Sequence, residues 1–378
     1  MDKPTVIQAV RRFLPAYLST KPTLSGPQRR AIWAMQACRT AELGGHVHGC
    51  RTCSDAPPQY AYHSCNHKAC PQCGRGHTQQ WVQKQEQKRI QTPHYMVTFT
   101  LPEELRPLFF GKEAKAAYDM MFKAAAAALS GVMQRHKHLH ATNSGFTMVL
   151  HTWNQQMHFH PHIHCIIPGA GLDEAGNYRQ VKSAQYLVPL AALKAAFRSE
   201  FRELMQQAGW QADPAAWRKA WTVNVQPFGD GQNAIKYLGT YIGRSVIADS
   251  RIVKITDTHV TFRWKDRANS GVQRTSTLTG VEFVKRYLRH VLPRGLHSVR
   301  YHGYHHPAAK KTLLKVMLLS GRAVDIGTVQ PITAQAKEAT TPPPIPHSVK
   351  CPCCGQPMVR IGRLVPAWKR HGARGPPA

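Results

Sequence analysis

The sequence predicts an α+β fold: an antiparallel sheet covered by helices, preceded by a small helical module with a metal-nucleated loop region. Three observations predict it. Strand-like apolar runs alternate with stretches of helical periodicity. The runs at 145–151 and 160–167, and again at 251–256 and 259–265, are joined by turns too short for a parallel crossover, so these neighbours must be antiparallel. Residues 44–78 are rich in Cys, His, Gly and Pro and carry no periodicity, as suits loops that fold around an ion rather than a core.

Each element has its own signal. Val6, Val10, Phe13, Leu14 and Tyr17 recur at helical spacing within 5–43, and 79–91 reads as a basic helix. The run His94-Tyr95-Met96-Val97-Thr98-Phe99-Thr100-Leu101 predicts a strand, and the Ala-rich 112–135 a helix. Two strands follow at 145–151 and 160–167, then a helix at 186–208, a strand at 221–228 and a helix at 231–243. A hairpin turning at Asp257-Thr258 and a basic helix at 281–291 come next. Ala-Thr-Thr-Pro-Pro-Pro-Ile-Pro at 339–346 reads as a stiff linker before a Cys-rich tail. The expected division is 1–91 for the helical and metal-binding module, 92–300 for the sheet domain, 301–338 for a basic helical extension and 339–378 for linker and tail.

The charge narrows the partner. Lys and Arg number 50 against 20 Asp and Glu, a formal net charge of +30. Such an excess repels itself in a compact state and points to a polyanion, hence to nucleic acid. It fits poorly with a hydrolase of small molecules. No run of 18 apolar residues suggests a membrane span, and Met1-Asp2-Lys3-Pro4 lacks the apolar core of a signal peptide. The ten cysteines fall mostly in close pairs, which in an unexported chain points to metal rather than disulfides. The expectation is a cytoplasmic, DNA-associated protein.

Cys50-x2-Cys53 and Cys70-x2-Cys73, with sixteen residues between the inner cysteines, predict a four-thiolate structural zinc site, with Cys65 as an alternative ligand. Lys68 and Arg75 place positive charge beside it, for phosphates. Near the other end, Cys351-Pro352-Cys353-Cys354-Gly355 looks like a single zinc knuckle without a partner pair, which His347 and His371 could complete.

His160-Pro161-His162-Ile163-His164 leads into the apolar Cys165-Ile166-Ile167. On a strand His162 and His164 share one face while Ile163 points to the core, so the two imidazoles form half of a metal site. If 145–151 and 160–167 pair as a hairpin, His151 returns beside them as the third ligand; His158, His160, Gln232 and Asn233 are the alternatives. His138-Leu139-His140 repeats the pattern but runs into a turn and reads as a solvated helix end. Tyr237 and Tyr241, four apart on a predicted helix, share a face, with Lys236 and Arg244 nearby to hold phosphates. A phenol is a weak nucleophile at neutral pH, and a divalent ion polarising the phosphate would help it attack.

Taken together, these motifs resemble the rolling-circle insertion-sequence transposases of the His-hydrophobe-His (HUH) endonuclease superfamily, in their two-tyrosine branch. The likeness takes in Ser64-Cys65-Asn66-His67-Lys68-Ala69-Cys70-Pro71-Gln72-Cys73, Leu150-His151-Thr152-Trp153 ahead of the histidine cluster, and Tyr-Leu-Gly-Thr-Tyr-Ile-Gly-Arg at 237–244. It extends to Phe283-Val284-Lys285-Arg286-Tyr287 and Arg300-Tyr301-His302-Gly303-Tyr304, which adds Lys285, Arg286 and Arg300 as DNA contacts. The resemblance implies a palm-like antiparallel sheet of ferredoxin or RRM type. It also implies nicking and rejoining of single-stranded or hairpin DNA at element ends with Mg²⁺ or Mn²⁺, through a 5′-phosphotyrosine, in a bacterial cytoplasm. The same chemistry would serve a plasmid rolling-circle replication initiator or relaxase; a catalytically inactive zinc-dependent DNA-binding protein is the reading from another class.

Overall fold

The computed structural model describes residues 3–73, 75–242, 246–266, 269–322 and 349–367. The chain opens with α1 (Val6–Ser19) and α2 (Gly26–Ala37). Both begin in capping boxes, Thr5 with Gln8 and Ser25 with Gln28, which satisfy the first backbone N–H groups and fix where each helix starts. The loop module contributes β1 (Gly45–Gly49) and β2 (Gln59–Tyr62), strands that its irregular composition did not announce, followed by α3 (Arg75–Glu86).

The larger domain starts with β3 (His94–Thr100) and α4 (Ala114–Gln134), then β4 (Asn143–Ser144), β5 (Phe146–Trp153), β6 (Phe159–Pro168), β7 (Ala170–Leu172) and β8 (Tyr178–Gln180). Helices α5 (Leu190–Gln207) and α6 (Ala215–Arg218), strand β9 (Thr222–Pro227) and helix α7 (Gln232–Ile242) follow. Next come β10 (Ile252–Ile255), β11 (His259–Asp266), β12 (Val272–Thr279), α8 (Gly280–Arg289), β13 (Val299–His302), α9 (Lys310–Leu319) and β14 (Val359–Leu364).

The protein is α+β, with every strand pair in these sheets antiparallel. The central sheet runs in the order β13-β5-β6-β3-β9. Its alternation sorts side chains into two layers. Tyr95, Val97, Phe99, Phe146, Met148, Leu150, Ile163, Cys165 and Ile167 form one core with α4 and α5. On the other face Met96, Val149 and Ile166 pack against Ala234, Ile235 and Leu238 of α7 and Trp81 of α3. The second face is thinner and carries the polar residues of the candidate site.

Two expected boundaries do not coincide with the packing. Strand β13 crosses residue 300 and pairs with β5 from Val299↔Val149 to His302↔Phe146, so the segment from 301 begins inside the central sheet rather than in a helical extension. Helix α1 belongs to one apolar cluster with β10, β11 and α8, through Val10, Phe13, Val260, Phe262, Phe283 and Tyr287. The N-terminal helices and residues 246–288 therefore make one unit out of distant stretches of chain. The reason is amphipathicity: α8, directly after β12, lays Phe283 against Phe262 of the short sheet β10-β11-β12, and α1 packs in turn on α8, its Phe13 ring lying against Gly280. The stretch 339–346 lies outside the described residues. Among the described residues, no helix is long and apolar enough to cross a membrane.

Candidate metal centre and tyrosine helix

Register builds the site. Across the central sheet His151 pairs with His162, which lies opposite Thr100; one row along, Val149 pairs with His164, which lies opposite Thr98 and, beyond it, Asn224. His151, His162 and His164 therefore converge, each offering one ring nitrogen within 4.8 Å of the others. His151 is 2% exposed and His164 8%. Burial above all, then the two neighbouring imidazoles, holds the His151 pKa well below the ordinary histidine value, so this ring is neutral. A neutral imidazole is the ligand form.

The outer nitrogens are tied back. His162 Nδ1 donates to the His160 carbonyl at 2.7 Å, which assigns the proton to Nδ1 and leaves the lone pair on Nε2. Thr98 Oγ1 lies 2.9 Å from His164 Nδ1 and can fix that ring in the same way. The donor set, three imidazoles on a rigid strand pair with His162 and His164 oriented by hydrogen bonds, suits a divalent ion. His158 and His160 are not in the cluster, and Gln232 and Asn233 are exposed at the start of α7. Trp153 stacks on His151 with centroids 5.7 Å apart and an interplanar angle of 19°, closing one side.

Helix α7 lies over this face. Its start is capped by Asp230, whose carboxylate accepts from Gln232 N at 3.1 Å and is held by Arg89 at 2.9 Å. Leu238, Ala234 and Ile235 anchor the helix to the sheet. That sets Tyr237 against the histidines, its ring edge-on to His164 with centroids 6.0 Å apart. Tyr241 stands one turn further along α7, and its side chain is outside the description.

The predicted cysteine quartet is split. Cys70 and Cys73 cluster with Cys65 and with Cys38 at the end of α2, which the sequence reading had not used. Cys50 and Cys53 instead meet Cys351 and Cys354. Spacing alone assumed that the two pairs close on each other; the pairing of β1 with β14 draws the first pair away. In the first cluster, Cys38 and Cys65 Sγ lie 3.5 and 3.6 Å from Cys73 Sγ. Hydrogen bonding from Cys70 foremost pulls the Cys65 thiol down to about 5, so it carries thiolate character. The lone knuckle of the tail thus finds cysteines as partners; His347 and His371 lie outside the described residues.

The expected DNA contacts also separate. Lys68 and Lys236 are exposed. Arg300 is committed internally, paired with Asp119 and stacked 4.1 Å over the Phe122 ring. Arg286 binds Glu282 at 2.7 Å and the Gln156 carbonyl at 3.3 Å, and Lys285 lies 3.8 Å from Glu282. Glu282 therefore spends part of that helix's charge. The Arg75 side chain and Arg244 are outside the description. What the sequence reading missed is a cleft of about 590 Å³ between the cysteine cluster and the central sheet, lined by Arg30, Lys68, Trp153, Tyr287, His290 and Arg294. No local signal marks it, because Arg30 and Arg294 meet only through tertiary packing.

A histidine-lined sheet face under a tyrosine helix, joined to a cysteine cluster on a basic chain, places the protein in the class of α+β proteins with clustered candidate metal ligands. Comparison with known proteins makes the class specific. Residues 145–312 match the family described as "Putative transposase", and residues 9–101 match the "Transposase zinc-binding domain". The chain is 34% identical over 322 residues to "Putative transposase y4qJ" of Sinorhizobium fredii, covering 80% of each chain. It is 25% identical over 313 residues to "Transposase for insertion sequence element IS801" of Pseudomonas savastanoi pv. phaseolicola, covering 76% of this chain and 73% of that one. The chain belongs to this transposase family.

Proposed function

We propose that the protein is an HUH-type tyrosine endonuclease and strand transferase that nicks and rejoins single-stranded DNA at the ends of its own element, in rolling-circle transposition. The observation that carries this reading is the placement of Tyr237 edge-on to His164 within the three-histidine face. His151, His162 and His164 would hold Mg²⁺ or Mn²⁺, which when bound polarises the phosphoryl oxygen and offsets the charge that builds during transfer.

The chain's own groups account for the rest. The Tyr237 hydroxyl oxygen attacks the phosphorus of a phosphodiester and loses its proton to solvent. A new tyrosine O–P bond forms as the bond from phosphorus to the 3′ oxygen of the preceding nucleotide breaks. That oxygen takes up a proton and leaves as a 3′-OH, while the other fragment stays on the protein through its 5′ phosphate. Attack by a 3′-OH on this linkage reverses the step and joins strands. The bond energy is kept in the phosphotyrosine, so joining needs no nucleotide cofactor. Tyr241, four residues on, supplies a second phenol, so one 5′ end can be held while another bond is cut. The +30 charge and the basic, aromatic cleft suit a single strand, whose phosphates bind Arg30, Lys68 and Arg294 while its bases stack on Trp153.

The test uses labelled single-stranded oligonucleotide from the element's end and denaturing gels. Tyr237→Phe and Tyr241→Phe should each retain some cleavage, to unequal extents, and the double Phe variant should form no covalent adduct. A persistent adduct in the double variant would move the nucleophile elsewhere. Tyr287 is a poor substitute, being buried with its hydroxyl donated to the Ala69 carbonyl at 2.6 Å.

A further inference from the structure

Cys50 and Cys53 meet their partners across almost the whole chain. Their Sγ atoms and those of Cys351 and Cys354 all lie within 4.8 Å of one another. Cys50 Sγ and Cys354 Sγ, 304 residues apart in sequence, are separated by 3.6 Å. A disulfide would need about 2.05 Å, whereas thiolates held about 2.3 Å from one tetrahedral zinc sit about 3.8 Å apart. Each pair has the Cys-x2-Cys spacing of a zinc knuckle. In the first, the backbone N–H groups of Thr52 and Cys53 donate to Cys50 Sγ at 3.4 and 3.3 Å, which aims the sulfur inward.

The surrounding backbone points the same way. Strand β14, just after the second knuckle, pairs with β1, just before the first, from Gly45↔Leu364 to Gly49↔Val359. This sheet, β14-β1-β2, has almost no core. None of its apolar side chains is buried, and Tyr60, Tyr62 and Ile361 stand 52%, 39% and 63% exposed. Apolar burial therefore cannot hold a long-range pairing that closes a loop of this length against its entropy. A structural zinc ion can, at about 10–16 kcal/mol in small zinc domains.

We propose that Cys50, Cys53, Cys351 and Cys354 form a second structural zinc site that clips the C-terminal Cys-Pro-Cys-Cys-Gly knuckle onto the N-terminal module. The clip closes the chain on itself and completes the β14-β1-β2 sheet. It lays Arg363 opposite His46 and Arg360 opposite His48, adding two exposed cations of the tail to the N-terminal module. Cys353 lies outside the cluster and is dispensable. None of this depends on the phosphotyrosine chemistry.

The full-length protein, purified under reducing conditions, should contain two zinc ions per chain by elemental analysis. Cys351→Ser with Cys354→Ser should lower this to one, Cys353→Ser should leave two, and Cys354→His, which keeps a ligand, should also keep two. With a protease site inserted within 323–348, the cleaved tail should stay with the body in zinc and separate after a chelator. One zinc in the wild type, two in the double Ser variant, or a tail that leaves in the presence of zinc would each overturn the proposal. So would a Cys50–Cys354 disulfide, read as a loss of two mass units in unreduced protein.

Discussion

Thr98 is a modest residue with a specific task. Its hydroxyl sits 2.9 Å from His164 Nδ1 and fixes the ring whose other nitrogen faces the cluster. Thr98→Val keeps the strand and removes the hydrogen bond. Loss of such a partner typically costs about 10–100-fold in metal affinity. The Mn²⁺ concentration for half-maximal nicking should rise by about that factor while gel-shift affinity for the oligonucleotide stays level; an unchanged metal requirement would remove Thr98 from the site. His162→Ala with His164→Ala should abolish nicking and keep DNA affinity within a few-fold. Three nitrogen donors also suit Mn²⁺ better than Mg²⁺, which demands oxygen ligands, so nicking should be faster with Mn²⁺ at equal concentration.

Helices α3 and α7 approach closely, and Gly239 is what permits it. A Cβ there would fall 2.3 Å from Val82 Cγ2. Gly239→Ala should push α7 away from α3 and carry Tyr237 off the histidines. Overpacking of this kind costs about 1–3 kcal/mol, and the sharper effect should be a drop in adduct formation with zinc content unchanged. Adduct yield equal to wild type would mean that Val82 gives way without moving the helix. The cysteine cluster is bound to its surroundings in a similar way. Cys70 is buried in the cluster of α1 and α8, and the Ala69 carbonyl accepts from Tyr287. Cys70→Ser should thus lose one zinc and also lower the melting temperature of the α1–α8 unit, rather than unfold residues 44–78 alone. A melting temperature equal to wild type would show that the module is separable.

At the scale of the molecule, the charge and the buried imidazoles set the response to solution conditions. If about 6–10 phosphates are neutralised, log K should fall against log salt with a slope of about −4 to −7 on single strands, at about −0.7 per contact. A flat salt dependence would detach the +30 from DNA binding. Burial pushes His94 and His290 down to about 4 and His305 down to about 3. Burial is what keeps His290 neutral; its ring lies 3.1 Å from Thr152 Oγ1 and donates to the Met157 carbonyl at 3.2 Å. Below about pH 6.5 the unfolded chain takes up protons that these folded rings refuse. Stability is therefore full above that pH and declines as pH falls towards 4. Thermal melts at fixed ionic strength should drop steadily from pH 7.5 to 5, and a level profile would contradict the assignment of these rings as neutral.

The sequence by itself determined whatever depends on short spacing. Alternation put His162 and His164 on one face, the short turn brought His151 back to them, and a spacing of four set Tyr237 and Tyr241 on one helix. These are consequences of the strand and helix periods, which act within a few residues. Tertiary structure alone decided which cysteines meet. Cys38 joins Cys65, Cys70 and Cys73 because α2 ends beside them, and Cys50 and Cys53 meet Cys351 and Cys354 because β14 pairs with β1. It also decided that Arg300 spends its charge on Asp119, that β13 completes the central sheet, and that α1 packs on α8 in the cluster that includes β10 and β11. Each of these joins residues far apart in sequence. Whether such a pairing forms depends on the exposed edges and apolar faces left by every other element, which no local pattern records.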